Sequence, residues 1–90
     1  MILILSLTFE GTALPKTGVT VQKKIDIGSS SLPCCGDDLT DTVTKLGSVR
    51  VAAKDIDYAN DECFVELESV IDDKHSEAEV RDMAREHGWI

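Results

Sequence analysis

Alternation of apolar with other side chains is the feature that most constrains the fold of this chain. Residues 2–9 and 19–27 both alternate in this way. Successive side chains of a β-strand point to opposite faces of a sheet, so each segment predicts a strand with one buried face. The predicted buried residues of the first strand are Leu3, Leu5, Leu7 and Phe9. Those of the second strand are Val19, Val21, Ile25 and Ile27, with Lys23 as the one charged residue among them.

Three further segments have the composition of strands. Residues 39–43 predict a short strand, and residues 49–58 and 62–70 predict two longer ones. The longer strands are separated by Ala-Asn-Asp, and Asn and Asp favour tight turns. The sequence therefore predicts a β-hairpin with a loop at residues 59–61.

A C-terminal helix is predicted over about residues 76–88. Ser76 is a candidate N-cap, and Glu79 completes a capping box because each side chain can bond the other residue's backbone amide. Gly88 suits the left-handed position that ends many helices. One face of this helix carries the spacing of a buried stripe, with Val80, Met83, Ala84 and His87.

These elements predict a single α+β domain over residues 1–90, consisting mainly of antiparallel β-structure. We expect a meander of about four to five strands over residues 2–71, curled into a small, partly open barrel or roll. The helix is expected to cover one end or one open edge. A domain of 90 residues buries only about 60–65% of its unfolded surface, which leaves little chain for a deep cleft.

Three runs resemble a pattern found in small SH3-like barrel proteins of bacteria and phages. The runs are LPCCGDDL at 32–39, KLGSVRVAAKDIDY at 45–58 and CFVELESV at 63–70. In the pattern, Leu-Pro-x-x-Gly-Asp-x-apolar opens a strand, a glycine turn follows, and a long hairpin comes next. The resemblance covers roughly residues 19–70. It implies a small barrel fold and carries no catalytic residues.

The adjacent cysteines Cys34 and Cys35 are interpreted as part of a bend. Side chains of successive residues point apart in an extended chain, and zinc sites usually take their cysteines from C-x(2–4)-C pairs. A vicinal disulfide is the alternative, but it requires a strained ring and an oxidising environment. Gly36 lets the backbone turn, and Asp37 can bond local amides. We expect one of the two cysteines to point inward and the other to be exposed.

No catalytic or cofactor site is predicted. The acidic cluster at 72–79 contains Asp72, Asp73, His75, Glu77 and Glu79. A divalent cation is one interpretation, but acids in a first helical turn also oppose the helix dipole, and the spacing of a calcium loop is absent. Both histidines lie near the C-terminal helix and form no defensible nucleophilic set. We therefore expect no metal, no cofactor and no enzymatic activity.

Charge is distributed very unevenly along the chain. Residues 1–54 hold five acidic and six basic side chains, whereas residues 55–90 hold twelve and three. The two parts have net charges of +1 and −9, in agreement with the total of −8. Such asymmetry favours a surface that repels nucleic acid and attracts basic proteins. The alternative is an acidic half that is simply well solvated.

The hairpin supplies the candidate binding surface. With a loop at 59–61, Ile56 lies opposite Phe64 with Tyr58 beside them, ringed by acids. An aromatic anchor inside a polar rim is typical of protein interfaces. The predicted partner-binding residues are Asp55, Ile56, Asp57, Tyr58, Asp61, Glu62, Phe64 and Glu66. The alternative is that the helix and Trp89 cover this patch.

We expect a small acidic protein-binding module that inhibits or modulates a basic, nucleic-acid-handling partner through its acidic C-terminal third. Its carboxylates would imitate a phosphate backbone, and its size and charge match those of phage and mobile-element inhibitors. The alternative is a structural or assembly protein of a virion or multi-subunit complex, which would use strand edges and apolar surface. The oligomeric state is left open.

The sequence predicts a cytoplasmic protein that does not associate with membranes. A secretion signal requires basic residues before its apolar core, and none precedes the short apolar run at 1–5. No segment approaches the roughly 18 apolar residues needed to span a bilayer. An odd number of cysteines also fits a reducing compartment.

Overall fold

The computed structural model describes residues 1–28, 32–39 and 49–90. Within these residues the chain forms six strands and one helix. The strands are β1 (Ile2–Glu10), β2 (Val19–Asp26), β3 (Asp38–Leu39), β4 (Val49–Asp57), β5 (Glu62–Leu67) and β6 (Val70–Ile71), and the helix is α1 (Glu77–Glu86). Most of the short strand predicted at 39–43 lies outside the described residues.

The strands form one curled, mixed sheet, a half-barrel, in the order β2-β1-β5-β4-β3, with β6 also beside β1. β1 is antiparallel to β2 but parallel to β5 and β6. The β-dominated domain with one short C-terminal helix is therefore confirmed. The sheet differs from the predicted meander because the first strand lies at its centre, between β2 and β5.

The central position of β1 follows from its two apolar faces. Leu5 and Phe9 face the core, as the alternation predicts, and both are buried. Ile4 points to the opposite face and is nevertheless only 6% exposed, because neighbouring strands flank it on both sides. A strand that is apolar on both faces is typical of the middle of a sheet that contains parallel pairs.

The core lies on the inner face of the sheet and is covered by the C-terminal segment. Val80 and Ala84 of α1 are buried in the same cluster as the inward-facing strand residues. Trp89 is fully buried in that cluster. Its neighbour Ile90 then pairs with Gln22 on the outer edge of β2 through two backbone hydrogen bonds of 2.6 and 2.8 Å. The end of α1 is thereby fastened to the sheet.

Both ends of α1 have the expected caps. The Ser76 hydroxyl oxygen accepts a hydrogen bond from the Glu79 amide at 3.4 Å, and the Glu79 carboxylate accepts one from the Ser76 amide at 3.2 Å. The predicted capping box is confirmed. Gly88 has a φ of 83°, and the Trp89 amide donates to the Ala84 carbonyl at 2.8 Å. This left-handed ending directs Trp89 back into the core.

The hairpin formed by β4 and β5 has a different register from the predicted one. Asp57 pairs with Glu62, so the loop has four residues, Tyr58–Asp61, rather than three. A β-bulge also separates Val51 from Ala53. Because one residue of slip exchanges the faces of a strand, Ile56 lies opposite Cys63 and faces the core, and the prediction that it lies beside Phe64 is wrong.

Candidate protein-interaction surface

The convex side of the sheet, opposite the core, brings together residues from four strands. The pairings of β2, β1, β5 and β4 place Lys24, Ile4, Phe64 and Asp55 side by side in one row across the sheet. A second row contains Gln22, Ser6, Glu66 and Ala53, and a third contains Asp26, Ile2, Glu62 and Asp57. We call these three rows the outer face.

The outer face has an apolar centre that the C-terminal segment does not cover. Phe64 is 43% exposed and lies beside the buried side chain of Ile4. α1 and Trp89 pack on the opposite side of the sheet, in the core. The alternative in which Trp89 shields Phe64 is therefore wrong.

A shallow groove crosses the outer face between the first two rows. Ser6 and Ala53 have small side chains, so the second row is lower than the neighbouring Phe64 ring. The resulting groove has a volume of about 250 Å³. The residues that line it are Ile4, Ser6, Gln22, Ala53, Lys54, Asp55, Phe64, Val65 and Glu66.

The charge on the outer face is strongly negative. Its three rows carry five carboxylates, those of Asp26, Asp55, Asp57, Glu62 and Glu66, and one ammonium group, that of Lys24. Among the described residues, no ion pair uses any of these side chains. The carboxylates of Asp55, Glu62 and Glu66 are therefore available to a cationic partner, whereas those of Asp26 and Asp57 also accept hydrogen bonds from the Gly28 amide and from the hairpin loop.

The tip of the hairpin combines an exposed ring with a rigid loop. Tyr58 is 80% exposed. The Asp57 carboxylate accepts hydrogen bonds from the Asn60 side chain at 2.8 Å and from the amides of Ala59 and Asn60 at 3.1 and 3.2 Å. These bonds, that of the Asn60 side chain foremost, hold the pKa of Asp57 below its usual value. Asp57 therefore organises the loop in addition to contributing charge.

Seven of the eight predicted site residues lie on the outer face or at the tip. Asp55, Asp57, Glu62, Phe64 and Glu66 belong to the outer face, and Tyr58 and Asp61 belong to the loop. Ile56 is the exception, because it faces the core. The sequence interpretation missed Ile4, Ser6, Gln22 and Lys24, which line or flank the groove. The apolar second face of β1 was the available signal, but it did not reveal β5 as its neighbour.

The acidic cluster at 72–79 forms hydrogen bonds and ion pairs within the protein. The buried Asp72 carboxylate accepts hydrogen bonds from the His75 ring at 2.8 Å and from the amides of Lys74 and His75 at 2.9 and 3.1 Å. Asp73 accepts one from the Thr12 amide at 2.9 Å. Glu77 pairs with Arg81, and Glu79 caps the helix. These contacts hold the segment between β6 and α1 in place and fasten it to the loop that follows β1.

The segment around the adjacent cysteines is a tight turn, as predicted. The Asp37 carboxylate accepts a hydrogen bond from the Cys34 amide at 2.7 Å, and the Asp37 amide donates to the Cys34 carbonyl at 2.9 Å. Gly36 has a φ of 91°, which a residue with a side chain rarely adopts. Both Cys34 and Cys35 are exposed, so the expectation that one of them points inward is wrong. The turn is held by its own backbone, by the Asp37 side chain and by two backbone hydrogen bonds of Gly36 and Asp37 with Val51 of β4.

Comparison with known proteins gives no relative from which to transfer a function. No family model matches the chain, and no curated protein or solved structure matches it significantly. The resemblance to SH3-like barrels therefore stays a prediction. In the part of the chain that the structure describes, no helix has the length and apolar character needed to cross a membrane.

Proposed function

We propose that this protein is a non-enzymatic binding module that holds a partner protein with a basic surface against its outer face and hairpin tip. The observation that carries this proposal is the position of Phe64. Its ring is 43% exposed and lies among five carboxylates that form no ion pairs within the described residues. Exposed aromatic side chains anchor many interfaces, and charges around them steer association.

The acidic surface favours one class of partner. Proteins that handle nucleic acid present arginine and lysine side chains arranged to contact phosphates. A row of carboxylates on a rigid sheet offers such a protein a substitute for the phosphate backbone. Binding would then compete with nucleic acid, which is the mode of action we propose for an inhibitor or modulator of phage or mobile-element type.

The proposed site is the outer face and not the whole acidic C-terminal third. The acids of α1 lie on the other side of the sheet, because α1 packs against the core and contacts β2. The hairpin lies on the far side of β1 from β2. One flat partner surface therefore cannot meet both acidic regions at once.

Affinity capture from the cell that makes the protein tests the proposal. Three baits are compared: the wild type, the Tyr58→Ala/Phe64→Ala double variant and the control variant Ile71→Ala. Ile71 is a matched control because it is also exposed, at 66%, but lies beside Glu10, four residues along β1 from Ser6, where the outer face ends. We expect one basic protein to bind the wild type and the control and to bind the double variant at least about tenfold more weakly. Equal capture by all three baits would contradict the proposal.

Charge reversal separates steering from contact. Glu62→Lys should slow association with the captured partner and flatten its salt dependence, whereas Glu86→Lys, at the exposed end of α1 on the other side of the sheet, should have a smaller effect. Asp57 is unsuitable for this experiment because its replacement would also loosen the loop. Equal effects of the two substitutions would show that net charge alone, and not the outer face, attracts the partner.

One observation favours the alternative of an assembly protein. β2 is an edge strand, and among the described residues Ile90 pairs across this edge at Gln22 alone, so the rest of the edge can pair with an added strand. Assembly through strand edges would be only weakly sensitive to salt. Sedimentation at low and high ionic strength tests this alternative. Oligomers that persist unchanged in high salt would favour assembly, and a monomer at all salt concentrations would exclude self-assembly.

A further inference from the structure

We infer that the groove beside Phe64 is a subsite for a single arginine side chain of the partner. This inference rests on the proposed function, since it names the group that the outer face recognises. The inference is based on three features: a small, shallow groove, an exposed ring beside it, and a difference in charge between its two ends.

The shape of the groove suits one extended side chain. Its floor consists of Ile4 and the small residues Ser6 and Ala53, and its wall is Phe64. The volume of about 250 Å³ lies below the roughly 300–1,000 Å³ typical of small-molecule sites. The aliphatic part of a long side chain can lie over Ile4 and Ser6 and remain in contact with the ring.

The two ends of the groove differ in charge. Gln22 lines its β2 end, with Lys24 two residues further along the same face of β2, whereas Asp55 and Glu66 line its β4–β5 end. Lys54 is the one cationic residue in the lining, but it pairs with the buried Val65 and so alternates with the outward-facing residues of β4. Asp55 is the cross-strand neighbour of Phe64, and Glu66 is two residues further along the same face of β5. A cationic head group is therefore attracted to the end between the two carboxylates and repelled from the other end.

The exposed ring distinguishes arginine from lysine. A guanidinium group is planar, stacks on aromatic rings and donates hydrogen bonds in a fork that matches carboxylates. An ammonium group is compact and strongly hydrated, and it gains less from the ring. With Phe64 as the wall and Asp55 and Glu66 at the end, the groove offers both kinds of contact that guanidinium uses.

Fluorescence anisotropy with labelled, end-blocked hexa-arginine and hexa-lysine peptides tests the inference. Hexa-arginine is expected to bind the wild type at least about threefold more tightly than hexa-lysine. Ser6→Leu fills the groove without changing any charge, and Phe64→Leu removes the ring but keeps an apolar side chain. Each should weaken hexa-arginine binding at least about fivefold and abolish the preference for arginine.

Matched charge variants complete the experiment. The Asp55→Asn/Glu66→Gln variant removes two carboxylates from the groove, and the Asp82→Asn/Glu86→Gln variant removes two exposed ones from α1, on the other side of the sheet. Both variants carry the same net charge, so an additional loss of hexa-arginine binding in the first one measures the contribution of the groove carboxylates. We expect this additional loss to be at least about threefold. If Ser6→Leu fails to fold by circular dichroism, Ala53→Leu fills the groove from β4 instead.

The outcomes for the subsite and for the proposed function can be told apart. Wild-type affinity in the groove-filled variants, equal affinity for the two peptides, or no binding of hexa-arginine would each overturn the arginine subsite. If the captured partner is still lost in the Tyr58→Ala/Phe64→Ala variant, the proposed function stands without the subsite. If the double variant captures every partner as well as the wild type does, the proposed function fails. The peptide measurements still decide whether the groove binds arginine.

Discussion

Ile56 lies directly opposite Cys63 across β4 and β5, and both side chains face the core. Phe64, the next residue along β5, faces the other way and is 43% exposed. The two large apolar side chains in the middle of the hairpin thus serve different purposes. Ile56 stabilises the domain, whereas Phe64 is available to a partner.

Alanine substitutions should separate these two roles. Ile56→Ala should lower the free energy of unfolding by about 2 kcal/mol, at the low end for buried aliphatic side chains because Ile56 is only partly buried. Phe64→Ala should lower it less but weaken hexa-arginine binding. Urea denaturation and peptide anisotropy measure the two effects. A larger stability loss for Phe64→Ala than for Ile56→Ala would contradict the hairpin register.

Gly11 should tolerate no side chain, because it touches the backbone of Asp72. A Cβ atom at Gly11 would collide with the Asp72 carbonyl oxygen. The Asp72 amide in turn donates a hydrogen bond to the Glu10 carbonyl at 2.7 Å, so this backbone cannot easily move away. Gly11→Ala should therefore cost about 3 kcal/mol or more. Gly28→Ala is the control, since its Cβ would meet open space and only its φ of 58° opposes it, a cost of about 1 kcal/mol. Equal thermal stability of the two variants would contradict the close contact.

Asp72 should make stability depend on acid pH. Burial by itself raises the pKa of Asp72, but the hydrogen bonds from the His75 ring and from the amides of Lys74 and His75 outweigh it and hold the pKa below its usual value. Because the pKa of Asp72 is lower in the folded than in the unfolded protein, its ionised carboxylate stabilises the fold. This contribution is complete above the unfolded-state pKa of about 3.9 and is lost as the pH falls through the folded-state pKa.

The Asp72→Asn variant measures this contribution. At neutral pH it should be less stable than the wild type by about 1–3 kcal/mol, since a buried, charged acceptor is lost. The difference between the two proteins, measured by urea denaturation, should shrink as pH falls below about 4. Glu86→Gln, at the exposed end of α1, is the control. A difference that stays constant down to about pH 2 would show that Asp72 acts through its shape alone.

The three cysteines should react in two groups. Cys34 and Cys35 are exposed, whereas Cys63 is fully buried. Burial also raises the pKa of the Cys63 thiol, and only the thiolate is the nucleophile. Ellman's reagent should therefore modify two thiols quickly and the third only at the rate of unfolding. Cys63→Ala should remove the slow phase, and a fast reaction of all three thiols would contradict the packing of β5 against the core.

Local patterns determined the elements that depend on near neighbours. The alternation in β1 set which of its side chains are buried, because successive residues of a strand must point to opposite faces. Ser76 and Glu79 marked the start of α1, and Gly88 marked its end, since caps use only the adjacent turn. The same reasoning placed Phe64 and Glu66 together on one face of β5.

Only the tertiary structure decided which strands are neighbours and where their registers shift. The bulge between Val51 and Ala53 turns both Val51 and Ile56 towards the core. The alternation of residues in β4 does not reveal this bulge, because contacts with the partner strand and the core stabilise it. Likewise, β1 lies beside β5, and that pairing sets Ile4 and Ser6 against Phe64 and Glu66. The groove is formed by residues that are far apart in the chain. Which of them become neighbours depends on how the whole sheet buries its apolar surface, and no single segment determines that.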